Sequence, residues 1–399
     1  MRSVRVLVHL NNLALGGAQL NAVDIARTLR DRGHDPVLFA QGVAGPAPLV
    51  DVAAGHGLDI TVAGGPDTPR REVRRRLERL AAAHGSEVLH AWEVRAARNA
   101  YFGPGRLGRI PVVTTFYGIR MLRGLPRHQP LVLGLGALMG EGRAFGHRDV
   151  RLIEPPVNTG TDAPDVVDGC AFRKELGVGE GELLLCIVTR LVPDLEKDAG
   201  AELTVEAVRQ LADPRIRLAV VGDGPSRPRL RSLAAAANRE LGREAVLVPG
   251  QLADPRPAYQ AADLVLGMGG SALRGLAFGK PVIVHGADGY TAIHEPGPLV
   301  EPHASRCMYG FGDGSRDPRP LARQIRALLD DPQRRARLGG WGREWVVGRF
   351  SLESVATAFE TIYLEQLRTP PGTRRWLRDL EQMARYEFAK PAALRLIGR

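Results

Sequence analysis

Cysteine is nearly absent: Cys170, Cys186 and Cys307 are the only three in 399 residues. They are odd in number and far apart. That excludes a disulfide framework and a cysteine metal cage, and leaves reduced thiols in a cytoplasm as the expectation. Aromatic residues are also few, at 5%, and nowhere alternate with basic ones as a nucleic-acid surface would require. No D-x-D triplet occurs, and His9, His34, His56, His84 and His90 follow no ligand spacing, so chemistry without metal or cofactor is expected. Long apolar runs are missing too. The opening "MRSVRVLVHLNN" is too short for a signal peptide and reads as a first strand. "PLVLGLGALMG", from Pro130, falls short of a spanning helix. A cytoplasmic chain is expected, peripheral at most on the inner membrane face.

What is present is an ordinary soluble composition, 44% apolar and 25% charged, in a chain long enough for two domains. The formal net charge is +10. Part of it sits in "RREVRRRLERL" (70–80), where Val73, Leu77 and Leu80 at helical spacing leave the arginines on a solvated or membrane-facing side. Part sits in the tail from Thr373, where Trp376, Leu377, Leu380, Met383 and Phe388 suit either a helix docked on the first domain or a lipid anchor.

Strand-like and helix-like segments alternate along most of the chain. "VRVLVHL", "DPVLFA", "LDITVAG", "SEVLHAW" and "IPVVTTFYG" are strands in the first half, with "QPLVLGL" and "DVRLIEPP" as later candidates. The turn-rich "PPVNTGTDAPDVVDG" (155–169) is followed by the same alternation again, beginning at "ELLLCIVTRL". The pattern predicts an α/β protein of two doubly wound Rossmann-like parallel-sheet domains facing a cleft. They are expected over 1–160 and 161–345, with helices over 346–399 returning to the first. Ligands are expected outside the carboxyl ends of the strands.

Several turns there carry candidate chemistry. Gly16 and Gly17 leave the first strand, where glycine permits a tight turn and a close ligand approach. Arg190 leaves a strand end and Lys197 follows in the loop before a helix. Two such cations suit a diphosphate clamp, while a solvated Arg and a Lys paired with Glu196 would suit the same residues. "VVGDGPS" reads as plain turn chemistry. In "ADLVLGMGGSALRGLAFGKPVIVHG", Ser271 is placed to cap a helix while the amides around Gly269, Gly270 and Ser271 face a phosphate. Arg274 is either a reach-back to that phosphate or a solvated helix residue. His90, at a strand end, suits an acceptor contact or a packed core equally.

Together these segments resemble the family 4-like glycosyltransferases of the GT-B fold, over roughly Val4 to Leu367. The landmarks are "GGAQLNAVDIARTLRDRGHDPVLF", "RLVPDLEKDAGAELTVEAV", "LAVVGDGPSRPRLRSLA", "VPGQL", "AYQAADLVL" and "LAFGKPVIV". The resemblance implies sugar transfer from a nucleotide-diphosphate sugar, usually retaining and metal-free. It implies that Arg190 and Lys197 bind the diphosphate, that Gln251 and Leu252 present backbone to the base, and that Gly16 and Gly17 lie against the phosphates. The chain also departs from the pattern. The family's paired glutamates are missing, with Arg274 at the second, and Tyr117 stands where a histidine is common.

The resulting expectation is a glycosyltransferase with a small-molecule, glycan or lipid-linked acceptor, whose acceptor side includes His90 or Tyr117. The lost glutamates motivate an alternative, a catalytically silent relative that supports a partner transferase. A nucleotide-sugar epimerase shares the fold but needs acids and bases that these strands scarcely offer.

Overall fold

The computed structural model describes residues 2–193, 196–297, 308–310, 314–369 and 372–388. Cys307, the Phe388 side chain and the last eleven residues of the tail lie outside them. The chain divides into two compact units, Met1–Pro156 with Leu352–Arg399, and Val157–Ser351.

The first unit is built on a parallel seven-stranded sheet in the order β3-β2-β1-β4-β5-β6-β7. Its strands are β1 (Arg5–Leu10), β2 (Asp35–Ala40), β3 (Ile60–Val62), β4 (Val88–Trp92), β5 (Val112–Phe116), β6 (Leu131–Leu133) and β7 (Val150–Leu152). The helices along this stretch are α1 (Gly17–Asp31), α2 (Pro48–Gly55), α3 (Arg70–His84), α4 (Glu93–Phe102) and α5 (Met139–Ala144). Central strands such as β1 and β4 are buried on both faces, which is why they read as unbroken apolar runs rather than alternating ones. The order reverses direction beside β1 and β4, so their carboxyl ends flank a natural crevice.

The second unit has the sheet order β10-β9-β8-β11-β12-β13. Its strands are β8 (Leu183–Val188), β9 (Ile216–Val221), β10 (Val246–Gly250), β11 (Leu264–Gly267), β12 (Val282–His285) and β13 (Thr291–Ile293). Helices α6 (Cys170–Glu175), α7 (Lys197–Leu211), α8 (Arg227–Leu241), α9 (Arg256–Ala261) and α10 (Gly270–Ala277) accompany them. Alternate residues of β8 feed two cores: Leu185 and Ile187 join one apolar cluster, Leu184 and Cys186 the other. Burial pushes the Cys186 thiol up to about 12, so it packs as a small apolar residue. The sheet is not wholly parallel. β13 returns antiparallel to β12, because Gly286 to Tyr290 form a tight turn too short for a crossover.

Two changes of unit tie the chain together. The Val157 amide donates to the Phe350 carbonyl, and Val157 bridges Ser351. The domain limits fall at 156/157, inside the turn-rich linker and a few residues before the expected 160/161, and at 351/352, a few residues after the expected 345/346. The helix Leu352–Arg368 packs Val355, Phe359, Ile362 and Tyr363 into the same core as Val6, Val8, Ile25 and Val88. The final helix, Gly372–Phe388, is docked. Trp376 stacks on Tyr101 at 5.0 Å and donates from its indole to the Tyr101 carbonyl, while Met383 is buried. Leu377 of that helix is 51% exposed.

Candidate functional site

Four strand ends of the second unit meet at one edge of its sheet, and glycine lets them meet. Gly222, just past β9, has φ +148°, and a side chain there would drive into the Thr189 carbonyl beyond β8. Gly224, also at φ +148°, stands in the same relation to the Leu191 carbonyl. The backbone closes across them, with Thr189 N–H donating to Val221 and Gly222 N–H to Gly250, both carbonyls. Gln251 and Leu252 follow Gly250 (φ +104°) on this edge, the first exposed and the second half-buried. Arg190 is exposed directly beyond β8, and Lys197 is the first residue of α7.

The Glu196 carboxylate beside Lys197 has further partners. It accepts from the Asp288 amide at 3.0 Å and pairs with Arg316 at 3.0 Å. Glu196 itself has φ +53°, a left-handed turn immediately before α7.

The helix after β11 begins differently from the expectation. Gly269, at φ +54° and ψ −130°, is its N-cap, so α10 starts at Gly270 and no side chain caps it. Ser271 then sits at the second helical position, beside the helix end rather than over it. Its hydroxyl donates to the Val188 carbonyl at 2.6 Å and accepts from Tyr259 Oη at 3.1 Å. Its amide turns back to the Met268 carbonyl at 3.2 Å. Ser271 is thus a tie between β8 and α10. The exposed helix start at Gly270 retains the electropositive character expected of such an end.

Arg274 is neither freely solvated nor turned back to that start. Its Nε lies 3.2 Å from Oδ2 of Asp162, a side chain only 7% exposed. Burial pushes the Asp162 carboxyl above its usual range, while Arg274 and Arg256 pull it down. Asp162 lies in the turn-rich linker, where nothing in its neighbours' types marks it as an ion-pair partner.

In the first unit, Gly16 is the N-cap of α1 in extended geometry and Gly17 its first residue. Neither has a positive φ, so the tight-turn argument fails for both. A side chain at Gly17 would meet nothing within 4 Å, whereas one at Gly16 would run into the Gln19 side chain.

His90 belongs to the core. It is 1% exposed, with Nδ1 2.7 Å from Tyr363 Oη and Nε2 2.7 Å from Thr115 Oγ1. Burial pushes it down to about 3, so it stays neutral. The acceptor-contact reading of His90 is therefore wrong: the β4 pleat turns it under the Leu352–Arg368 helix. Tyr117 is half-buried, edge-on to Trp92 at 5.3 Å, and its amide donates to Glu93 Oε1 at 3.0 Å. That carboxylate was missed in the sequence. Glu93 directly follows β4, has φ +72°, and its carboxyl is pushed up by burial against the pull of the Tyr117 amide.

Among the described residues no group of His, Cys, Asp or Glu is arranged to hold a metal ion, and no helix is long and apolar enough to cross a membrane.

Comparison with known proteins bears on the family and the fold. The family model for Glycosyltransferase Family 4 matches residues 15–139, and that for Glycosyl transferases group 1 matches 182–331. The chain is 25% identical over 354 residues to a GDP-mannose-dependent alpha-(1-6)-phosphatidylinositol monomannoside mannosyltransferase of Mycolicibacterium smegmatis, spanning 79% of this chain and 86% of that protein. It is 24% identical to the lipopolysaccharide core biosynthesis glycosyltransferase LpsD of Rhizobium meliloti, over 90% and 97% of the two chains. Among solved structures, a glycosyltransferase from Rickettsia africae superposes with a TM-score of 0.73 at 15% identity, covering 92% of this chain and all of that one. HepE of Anabaena, solved with UDP, gives 0.69 at 17% identity, over 91% of this chain and all of its own. The two family matches on successive α/β units make this chain a family 4-like glycosyltransferase of the GT-B fold.

Proposed function

We propose that this chain transfers a sugar from a nucleotide-diphosphate sugar, held at the carboxyl edge of the second unit's sheet, to a glycan or lipid-linked acceptor. The observation that carries the reading is the run of glycines at Gly222, Gly224, Gly250 and Gly269, all at positive φ, which brings backbone to one edge beside Arg190, Lys197 and the start of α10. Such an edge suits an anionic ligand that lies flat against main chain. HepE was solved with UDP, and the relatives from M. smegmatis and R. meliloti are named for a phosphatidylinositol mannoside and a lipopolysaccharide core; their names favour this donor and acceptor class.

In this reading Arg190 and Lys197 neutralise the charge that grows on the leaving diphosphate, with the Gly270 amide adding its dipole. Gln251 and Leu252 offer backbone groups to the base. Arg274 is a positioning residue, since Asp162 fixes its guanidinium. The reaction proceeds with retention and without a metal. The C–O bond to the diphosphate breaks, the acceptor oxygen bonds to the anomeric carbon on the same face, and the departing phosphate oxygen takes the hydroxyl proton.

A thermal-shift titration with UDP, GDP, ADP and dTDP tests the reading. Ligand at a hundred times Kd stabilises by ~2.7 kcal/mol, a shift of a few degrees. One diphosphate is expected to shift wild type and not Arg190→Ala. Equal shifts in both proteins would overturn the assignment of Arg190.

A further inference from the structure

Ser226 stands at the N-cap of α8, where a serine ordinarily accepts from the first free amides of its own helix. It makes no such cap. Its hydroxyl donates instead to Asp198 Oδ2 at 2.6 Å, the short distance of a hydroxyl on a carboxylate. Its amide donates to the Leu191 carbonyl at 3.1 Å. Leu191 directly follows Arg190, and Asp198 directly follows Lys197. One residue beyond β9 is thus bonded to the neighbour of each cation.

The frame behind these bonds is stiff. Leu191 N–H donates to the Asp223 carbonyl at 2.9 Å, and Gly224 comes so close to the Leu191 carbonyl that a side chain there would strike it. Lys197 is tied on its other flank as well. Glu196 Oε2 accepts from the Asp288 amide at 3.0 Å, and the same carboxylate pairs with Arg316. Glu196 (φ +53°) and Asp288 (φ +54°) are both left-handed, a geometry that non-glycine residues keep only where their surroundings fix it. In the sheet order β10-β9-β8-β11-β12-β13, Ser226 follows β9, on one side of β8, and Asp288 follows β12, on the other. Lys197 therefore sits between two side-chain ties that run to opposite sides of the strand from which Arg190 emerges.

We infer that Ser226 and Asp198 are positioning residues for the diphosphate clamp. The Ser226 hydroxyl holds the first turn of α7 to the strand end that carries Arg190, and so sets the separation of the two cations. The inference rests on the proposed role of Arg190 and Lys197. Two phosphates joined by one oxygen present their charges at a fixed spacing, and misplacing a binding group by about 1 Å can cost on the order of a hundredfold. The "VVGDGPS" segment, plain turn chemistry by sequence, thereby gains a part in donor binding.

The test is isothermal titration calorimetry of the full chain with inorganic pyrophosphate, a probe that does not depend on the base. Lys197→Ala is expected to weaken binding about tenfold or more. Ser226→Ala is expected to weaken it about fivefold at unchanged stoichiometry, and Ser226→Thr, which keeps the hydroxyl, to come back to within about twofold of wild type. A variant that merely folds less well loses sites and keeps its Kd, so the stoichiometry separates positioning from folding. Fewer sites at the wild-type Kd in Ser226→Ala would overturn the inference and leave the clamp standing. So would a Ser226→Ala Kd equal to that of wild type while Lys197→Ala binds weakly. Wild-type binding that is absent, or indifferent to Lys197→Ala, would remove the clamp itself and the inference with it.

Discussion

The two sheet edges are built in opposite ways. In the second unit the work is done by main chain, through glycines at positive φ, crossed backbone hydrogen bonds and an uncapped helix start. In the first, glycine at the corresponding strand ends is extended, and the polar work falls to side chains of α4 set around the strained Glu93. The contrast predicts that replacing the glycines of the second edge acts through shape, and replacing the polar side chains of α4 acts through charge.

The largest effect is expected where shape is least forgiving. Gly222→Ala sets a methyl group against the Thr189 carbonyl at a φ that L-residues avoid, and should cost roughly 2–4 kcal/mol, read by urea denaturation. A drop below 1 kcal/mol would show that the turn yields. Next, the double variant Arg190→Ala/Lys197→Ala should lower turnover by about 10²–10³ with folding intact. Full activity would remove both from the clamp. Phe359→Ala should destabilise the first unit by about 3–5 kcal/mol, whereas nucleotide binding per folded molecule stays as in wild type.

Acid offers a finer comparison. Burial pushes His285 down to about 4, and neither of its buried ring nitrogens meets a hydrogen-bond partner among the described residues. The unfolded chain takes up a proton near 6.5 that the native one refuses, so stability is full above that value and falls as pH drops toward 4. One group loses ~1.4 kcal/mol per pH unit over that window. His285→Leu should therefore lose about 2 kcal/mol less than wild type between pH 6.5 and 5. Equal losses would place the acid sensitivity in other groups.

How much of this the sequence showed follows from the same contrast. The second unit's edge was legible because glycine turns between apolar runs are local signals, as in "VVGDGPS" and "GMGGSALRG". The family resemblance came from these stretches. Ser271 was misread because a one-residue shift in where α10 starts depends on the Gly269 dihedrals, which composition does not reveal. The short helices α2 and α5 and the antiparallel β13 were also passed over, being too brief for a period to show. Glu93 and Arg98 were illegible for a different reason. Their meaning depends on what surrounds them in space, with Tyr117, Gly124, Tyr386 and Glu387 contributed by remote segments. His90 shows the converse: strand position alone did not say that a helix beginning at residue 352 would cover it.

The bridge between Val157 and Ser351 bears on the order of events at the ribosome. The second unit begins and ends at neighbouring points, so it is complete once residue 351 has emerged and can fold as a closed insertion. The first unit is then still missing Phe359 and Tyr363, and His90 has lost its Tyr363 partner. The part of the protein synthesised first is therefore finished last. A nascent chain arrested once residue 351 has left the ribosome would carry a folded second unit and an open first one, exposed to proteases and chaperones.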